Sequence, residues 1–144
     1  MMSNITVTNS GFQLRDVSVE FKAKSAVEVG NYLKHQIGRQ LQERLIVMSL
    51  NSQLDVIASD TIAIGQISSI VVSPREVFQI ALLNNASSII LAHNHPSGHL
   101  IPSQEDIALT QKLREVGQLL QVPVTDHFIV STDDYYSFAE NQFK

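Results

Sequence analysis

Apolar residues recur along this chain at two spacings, and the switches between them mark the elements. Residues 1–15 are polar and read as flexible. DVSVEFK (16–22) then sets Val17, Val19 and Phe21 on one side of an extended chain and Ser18 and Glu20 on the other, the alternation of a half-buried strand. From Ser25, with Glu28 three residues on as a capping-box partner, the period changes: Val29, Tyr32, Leu33 and Ile37 fall on one helical stripe that Gly38 closes. RLIVMSL (44–50) predicts a strand, Asn51 to Gln53 a turn, and 55–64 one or two more strands. Ser73, Pro74 and Glu76 together open a helix to about Asn84, with Val77, Phe78, Ala81 and Leu82 as its buried stripe. SSIILAH (87–93) is short, apolar and rich in Ile, the pattern of a strand covered on both faces, and it runs into the polar loop NHPSGHLIP. Ser103 opens a long helix to about Leu120, followed by a strand over 124–130, a turn at Asp133 and Asp134, and a last strand over 135–138.

Helices and strands intermixed around one sheet predict an α/β (α+β) sandwich. At 144 residues the chain has the size of one domain, read as spanning 1–144, with 16–42 a strand and helix ahead of the core. A content of 44% hydrophobic and 17% charged residues suits a chain that buries a core rather than a disordered one. No apolar run is long enough to cross a bilayer, and the polar start lacks a signal-peptide pattern, so the expectation is a cytoplasmic protein with no membrane role. Ten scattered basic residues and a net charge of −4 give no support to a duplex-binding surface. With no cysteine, thiolate chemistry is excluded and any metal must be held by His, Asp or Glu.

His93 and His95 stand two apart at a strand end, where residues i and i+2 project to the same side. Asp106 is the third residue of the helix opened by Ser103, where free backbone N–H groups and the helix dipole favour an ionised carboxylate. Two neutral imidazoles and one carboxylate leave a fourth tetrahedral position open, the donor set of catalytic zinc. The same set also serves non-haem Fe(II), so the residues alone leave iron and manganese open. A metal of this kind brings the pKa of water toward neutrality, and the proton must then go to a base. Glu43 is the candidate, because it precedes a core strand that can run beside SSIILAH.

The series His93, Asn94, His95, seven residues, Ser103, two residues, Asp106, with a Glu upstream at a strand start, resembles the JAMM metal-site motif of JAB/MPN-type metalloproteases. SPREVFQIALLNNASSIILAHNHPSG and VTDHFIV are similar to the RadC branch of that superfamily, and the likeness runs from about Gln42 to Glu140. The resemblance implies a mixed curved β-sheet sandwiched by helices, laid out as in cytidine deaminases. It also implies one Zn2+ per chain on His93, His95 and Asp106, Glu43 as general base, and Ser103 stabilising the developing oxyanion. The activity implied is that of a zinc metallopeptidase or isopeptidase acting on a peptide or protein. Two departures stand out. RadC proteins carry a helix-hairpin-helix region linked to DNA, whereas the 42 residues ahead of Glu43 read as a strand and a helix, and His99 occupies a place often acidic in RadC relatives.

Plainer roles stand beside these. Ser103 and Asp106 fit a capping box, Asn94 falls on the face opposite its His neighbours and braces the backbone, and Arg75 reads as an exposed helix residue. Pro96, Ser97 and Gly98 shape the turn after the ligands, while Asp126 and His127 admit either a carboxylate–histidine support for a ligand or ordinary strand alternation. Competing functions are a metal-dependent nuclease or DNA-repair-associated protein, and a non-catalytic JAB/MPN binding module.

Overall fold

The computed structural model describes residues 2–8, 11–17, 21–65, 67 and 72–143, with side chains from Phe21 onward. Strands β1 (Met2–Thr8) and β2 (Gly11–Val17) pair antiparallel in a sheet of their own, in the stretch where the polar composition predicted no regular element. Of the strand expected over 16–22, Val17 ends β2 and Phe21–Lys22 form the short β3, while 18–20 lie outside the described residues.

The main sheet has six strands in the order β3, β5 (Asp55–Ile64), β4 (Arg44–Leu50), β6 (Ser88–Asn94), β7 (Val124–Val130) and β8 (Tyr135–Ser137). Only β6 and β7 run parallel, and helix α3 (Gln104–Leu120) is the crossover that such a pair requires. Helix α1 (Ala26–Ile37) covers one face: its Val29, Leu33 and Ile37 pack with Ile46, Met48, Leu50, Ile90, Ala92, Phe128 and Val130. Helices α2 (Pro74–Leu83) and α3 cover the other, where Val77, Phe78, Leu109 and Leu113 meet Leu45, Val47, Ile89 and Leu91. The expected sandwich is therefore the observed one. Alternation along β4 and β6 assigns odd-numbered residues to the α2/α3 face and even-numbered ones to the α1 face.

Register shifts between Ile89 and Ile90, whose partners on β7 are Val124 and Asp126, leave Thr125 as an extra residue. That bulge resets the phase of β7, so that His127, opposite Leu91, faces α3 while Asp126 turns to the α1 side.

Three details differ from expectation. Leu82 is 55% exposed rather than buried, because the stripe of a ten-residue helix is spent on Val77, Phe78 and Ala81. Ser73 occupies the N-cap of α2 without a side-chain cap bond. Phe138 opens a short helix α4 (Phe138–Asn141) instead of ending β8, since Ser137 caps it by accepting the Glu140 amide.

Candidate metal centre

Adjacent β4 and β6 pair antiparallel with Leu45 opposite His93, so the start of one lies at the end of the other. His93 closes the buried run of β6 on the α2/α3 face, and His95 follows on the same side as the strand gives way to a turn completed by Gly98 at φ 86°. The residue at that angle has to tolerate the left-handed region, which glycine does without cost. Across from them α3 begins with a full capping box: Ser103 Oγ accepts the Asp106 amide at 3.0 Å and Asp106 Oδ2 accepts the Ser103 amide at 2.8 Å. The box fixes the first turn and presents Asp106 to the two rings.

His93 Nε2 lies 2.9 Å from His95 Nε2 and 3.1 Å from Asp106 Oδ1, and His95 Nε2 lies 3.3 Å from Asp106 Oδ2. Ligand atoms at zinc bonding distance from one tetrahedral centre stand about 3.3 Å apart; the two ring nitrogens approach that spacing, the carboxylate meets them through separate oxygens, and with one atom taken from each residue all three lie within 4.8 Å. They form the group of His, Asp and Glu side chains that could hold a metal ion among the described residues. The chemistry of His95 agrees. Its Nδ1 lies 2.6 Å from the His99 carbonyl, which can only accept, so Nδ1 carries a hydrogen and Nε2 is the nitrogen whose lone pair would face a metal.

Electrostatics point the same way. Burial acts to raise the Asp106 carboxyl, but hydrogen bonding and charge from His93 and His95, with the Ser103 amide, outweigh it and hold Asp106 ionised far below the ordinary range. Burial likewise acts to lower His95, yet its bonds to Asp106 and the His99 carbonyl, with the charges of Asp106 and Glu43, raise it above its usual value. A proton on His95 meets the negative charge of Asp106 here, and a metal ion held by the same atoms would displace it.

Glu43 sits half-buried just ahead of β4, its Oε2 accepting the Ile67 amide at 3.2 Å and its carbonyl accepting the Gly65 amide at 2.8 Å. Its charge reaches His95. Asn94 holds this segment in place: Oδ1 accepts the Arg44 amide at 2.7 Å, and Nδ2 donates to the carbonyls of Gln40 and Gln42 at 3.2 and 3.0 Å. The residue between the two histidines thus braces the segment that leads from the glutamate into β4, on the face opposite them.

The RadC-like JAB domain family matches residues 23–143. The chain belongs to that family. It is 43% identical over 128 residues to the UPF0758 protein YfjY of Escherichia coli strain K12, covering 89% of this chain and 79% of that protein. It is 42% identical over 120 residues to a UPF0758 protein of Alkaliphilus metalliredigens, covering 83% of this chain and 52% of the relative. With the UPF0758 protein CT0611 of Chlorobaculum tepidum it shares 38% over 124 residues, 86% of this chain and 56% of the relative. The chain thus spans little more than half the length of the first-ranked relatives it matches. The JAB fold is related to metalloenzymes, and no helix among the described residues is long and apolar enough to cross a membrane.

Within this RadC-like JAB domain the remaining candidates separate. His99 is exposed and serves the group through its backbone carbonyl, so an acidic residue in its place would leave that bond intact. Arg75 is exposed on α2, beside a groove formed with Phe78, Leu82 and Leu120. Asp126 and His127 are both buried but face opposite sides of β7, so the Asp126 carboxylate does not support the His127 ring. Asp126 instead accepts Ser137 Oγ at 2.6 Å and the amides of His127 and Ala139 at 2.7 and 2.9 Å. His127 Nε2 lies 2.7 Å from His93 Nδ1, and its Nδ1 lies 2.5 Å from Thr110 Oγ1. Thr110 was not singled out from the sequence; its place four residues after Asp106, on the same helix face, was the available signal.

Proposed function

We propose that this protein is a zinc-dependent metallohydrolase that cleaves amide bonds in peptides or proteins. The observation that carries the reading is the approach of two imidazole nitrogens to 2.9 Å of each other and to 3.1 and 3.3 Å of the two oxygens of one carboxylate, at one end of a sheet. His93, His95 and Asp106 would hold the metal, and zinc there would supply a Lewis acid that makes water a nucleophile at neutral pH. The chain's own groups do the rest. Glu43, next to His95 in its electrostatic reach, takes the proton of the attacking water and returns it to the leaving nitrogen. Ser103 Oγ already accepts the Asp106 amide, which leaves its O–H free to donate to the substrate oxygen as charge builds there.

The test is the substitution Glu43→Gln, read by elemental analysis and by cleavage of a library of internally quenched peptides with zinc-loaded protein. Zinc should stay at one ion per chain while turnover falls about 10²- to 10⁴-fold. Equal cleavage by parent and variant would remove Glu43 from its role. Metal-dependent cleavage of DNA by the parent, abolished by His95→Ala, would replace the peptidase reading with that of a nuclease.

A further inference from the structure

We propose that Thr110 and His127 act as a positioning pair that fixes the ring tautomer of His93, so that its Nε2 faces His95 and Asp106 as a lone pair. The argument starts from an atom whose role is unambiguous. Thr110 Oγ1 lies 2.7 Å from the Asp106 carbonyl and 2.5 Å from His127 Nδ1. A carbonyl oxygen only accepts and a hydroxyl has one hydrogen, so that hydrogen goes to Asp106 and Oγ1 accepts from Nδ1–H of His127.

The His127 ring is fully buried, and its two nitrogens meet an imidazole and a hydroxyl rather than a carboxylate, so the ring is held in its neutral form. With its hydrogen on Nδ1, its Nε2 is an acceptor. The contact of 2.7 Å between His127 Nε2 and His93 Nδ1 must then be donated by His93. His93 therefore carries its hydrogen on Nδ1, and its Nε2 is bare on the side where His95 and Asp106 stand.

His93, His127 and Thr110 are buried to 2% exposure or less, so solvent does not compete for these bonds. Phe138 stacks on His127 with ring centroids 4.8 Å apart and planes at 12°, which holds the ring plane. The relay begins and ends on Asp106: its carbonyl orients Thr110, and its carboxylate meets the nitrogen whose lone pair the relay exposes. Reversing the tautomer would strip the hydrogen from His93 Nδ1 and leave two acceptors, that nitrogen and His127 Nε2, facing each other in a dry core. Supporting groups of this kind orient a metal-ligating histidine and set its basicity.

The inference rests on the metal reading for its purpose, but its first test needs no metal. In metal-free protein labelled with ¹⁵N-histidine, long-range ¹H–¹⁵N correlation should show both His93 and His127 with hydrogen on Nδ1; the Nε2–H form at His93 would overturn the proposal. Thr110→Val removes the hydroxyl at nearly constant shape. It should give mixed tautomers at both rings and weaken Zn2+ binding about 10- to 100-fold in competition with a chromophoric chelator. Thr110→Ser, which restores the hydroxyl, should return both readouts to the parent's. Equal zinc affinity in parent and Thr110→Val would refute the relay. A parent that takes up no zinc yet shows the assigned tautomers would sink the metal reading and leave the relay standing.

Discussion

Asp126 offers the sharpest check on how the sheet assigns its faces, because its carboxylate is buried with three donors and, among the described residues, no cationic partner. Asp126→Ala leaves the amides of His127 and Ala139 without an acceptor. The orphaned His127 amide is buried and costs about 1–3 kcal/mol, while Ala139 is exposed and water can take its amide, so the variant should lose roughly 1–3 kcal/mol, a large part of a typical domain's stability. Asp126→Asn should behave differently: its Oδ1 keeps both amides, and its NH₂ can donate to Ser137 Oγ. The parent's carboxyl is raised above its ordinary value by burial, against the opposing bonds from Ser137, Ala139 and His127. The folded state therefore binds this proton at a pH where the unfolded chain has released it. Between the unfolded pKa of 3.8 and the raised folded one, stability falls as pH rises; the proton's contribution is complete below 3.8 and lost above the folded pKa. Relative to Asp126→Asn the parent should gain stability as pH drops through that window, by at most about 1.4 kcal/mol per pH unit. Urea denaturation of parent, Asn and Ala variants from neutral pH down to 4 measures this. A pH-independent difference between parent and Asn variant, or an Asn variant as weak as Ala, would refute the reasoning. So would a tenfold loss of zinc affinity in the Asn variant, since Asp126 faces away from His93.

Two further outcomes are expected. Asp106→Asn should leave the helical signal in circular dichroism unchanged but abolish zinc-induced stabilisation, which in the parent should reach about 2.7 kcal/mol at zinc 100-fold above Kd; equal thermal shifts in both would remove Asp106 from the metal group. Gln121, which ends α3 at φ 60° in the left-handed region, should give a protein more stable by about 1 kcal/mol when replaced by Gly, and an unchanged urea midpoint would argue against strain at that cap.

Much of the fold was legible because its elements carry local signals. The Arg44–Leu50 and Ser88–Asn94 strands, and the helices opened by Ser25, Pro74 and Ser103, announce themselves by period and cap. The first pair of strands was not read, although Ile5 and Val7, and Phe12 and Leu14, stand two apart in the sequence on either side of Asn-Ser-Gly, residue types that favour turns. A polar average hid a period of two, and period is the quantity that selects a strand. Leu82 and Phe138 failed for another reason. Each fits the pattern of the element before it, and only the end of α2 and the cap made by Ser137 decide where each lies.

The candidate metal group divides along the same line. His93, His95, Ser103 and Asp106 sit within fourteen residues, and strand alternation plus one helix cap suffice to bring them together. Glu43 is fifty residues away and reaches the same end only because β4 and β6 pair antiparallel with Leu45 opposite His93. His127 is harder still. Alternation counted from Val124, which packs on the α2/α3 face, sends Asp126 to that face and His127 to the other. The single extra residue at Thr125 exchanges them. A bulge is a property of two strands in register, not of either sequence, so a reading residue by residue has no access to it. The placement of His127 against His93 is thus set by sheet register, while the group that could hold a metal is set by local spacing. Substitutions that shift the register of β7 should disturb His93 without touching any residue of the motif.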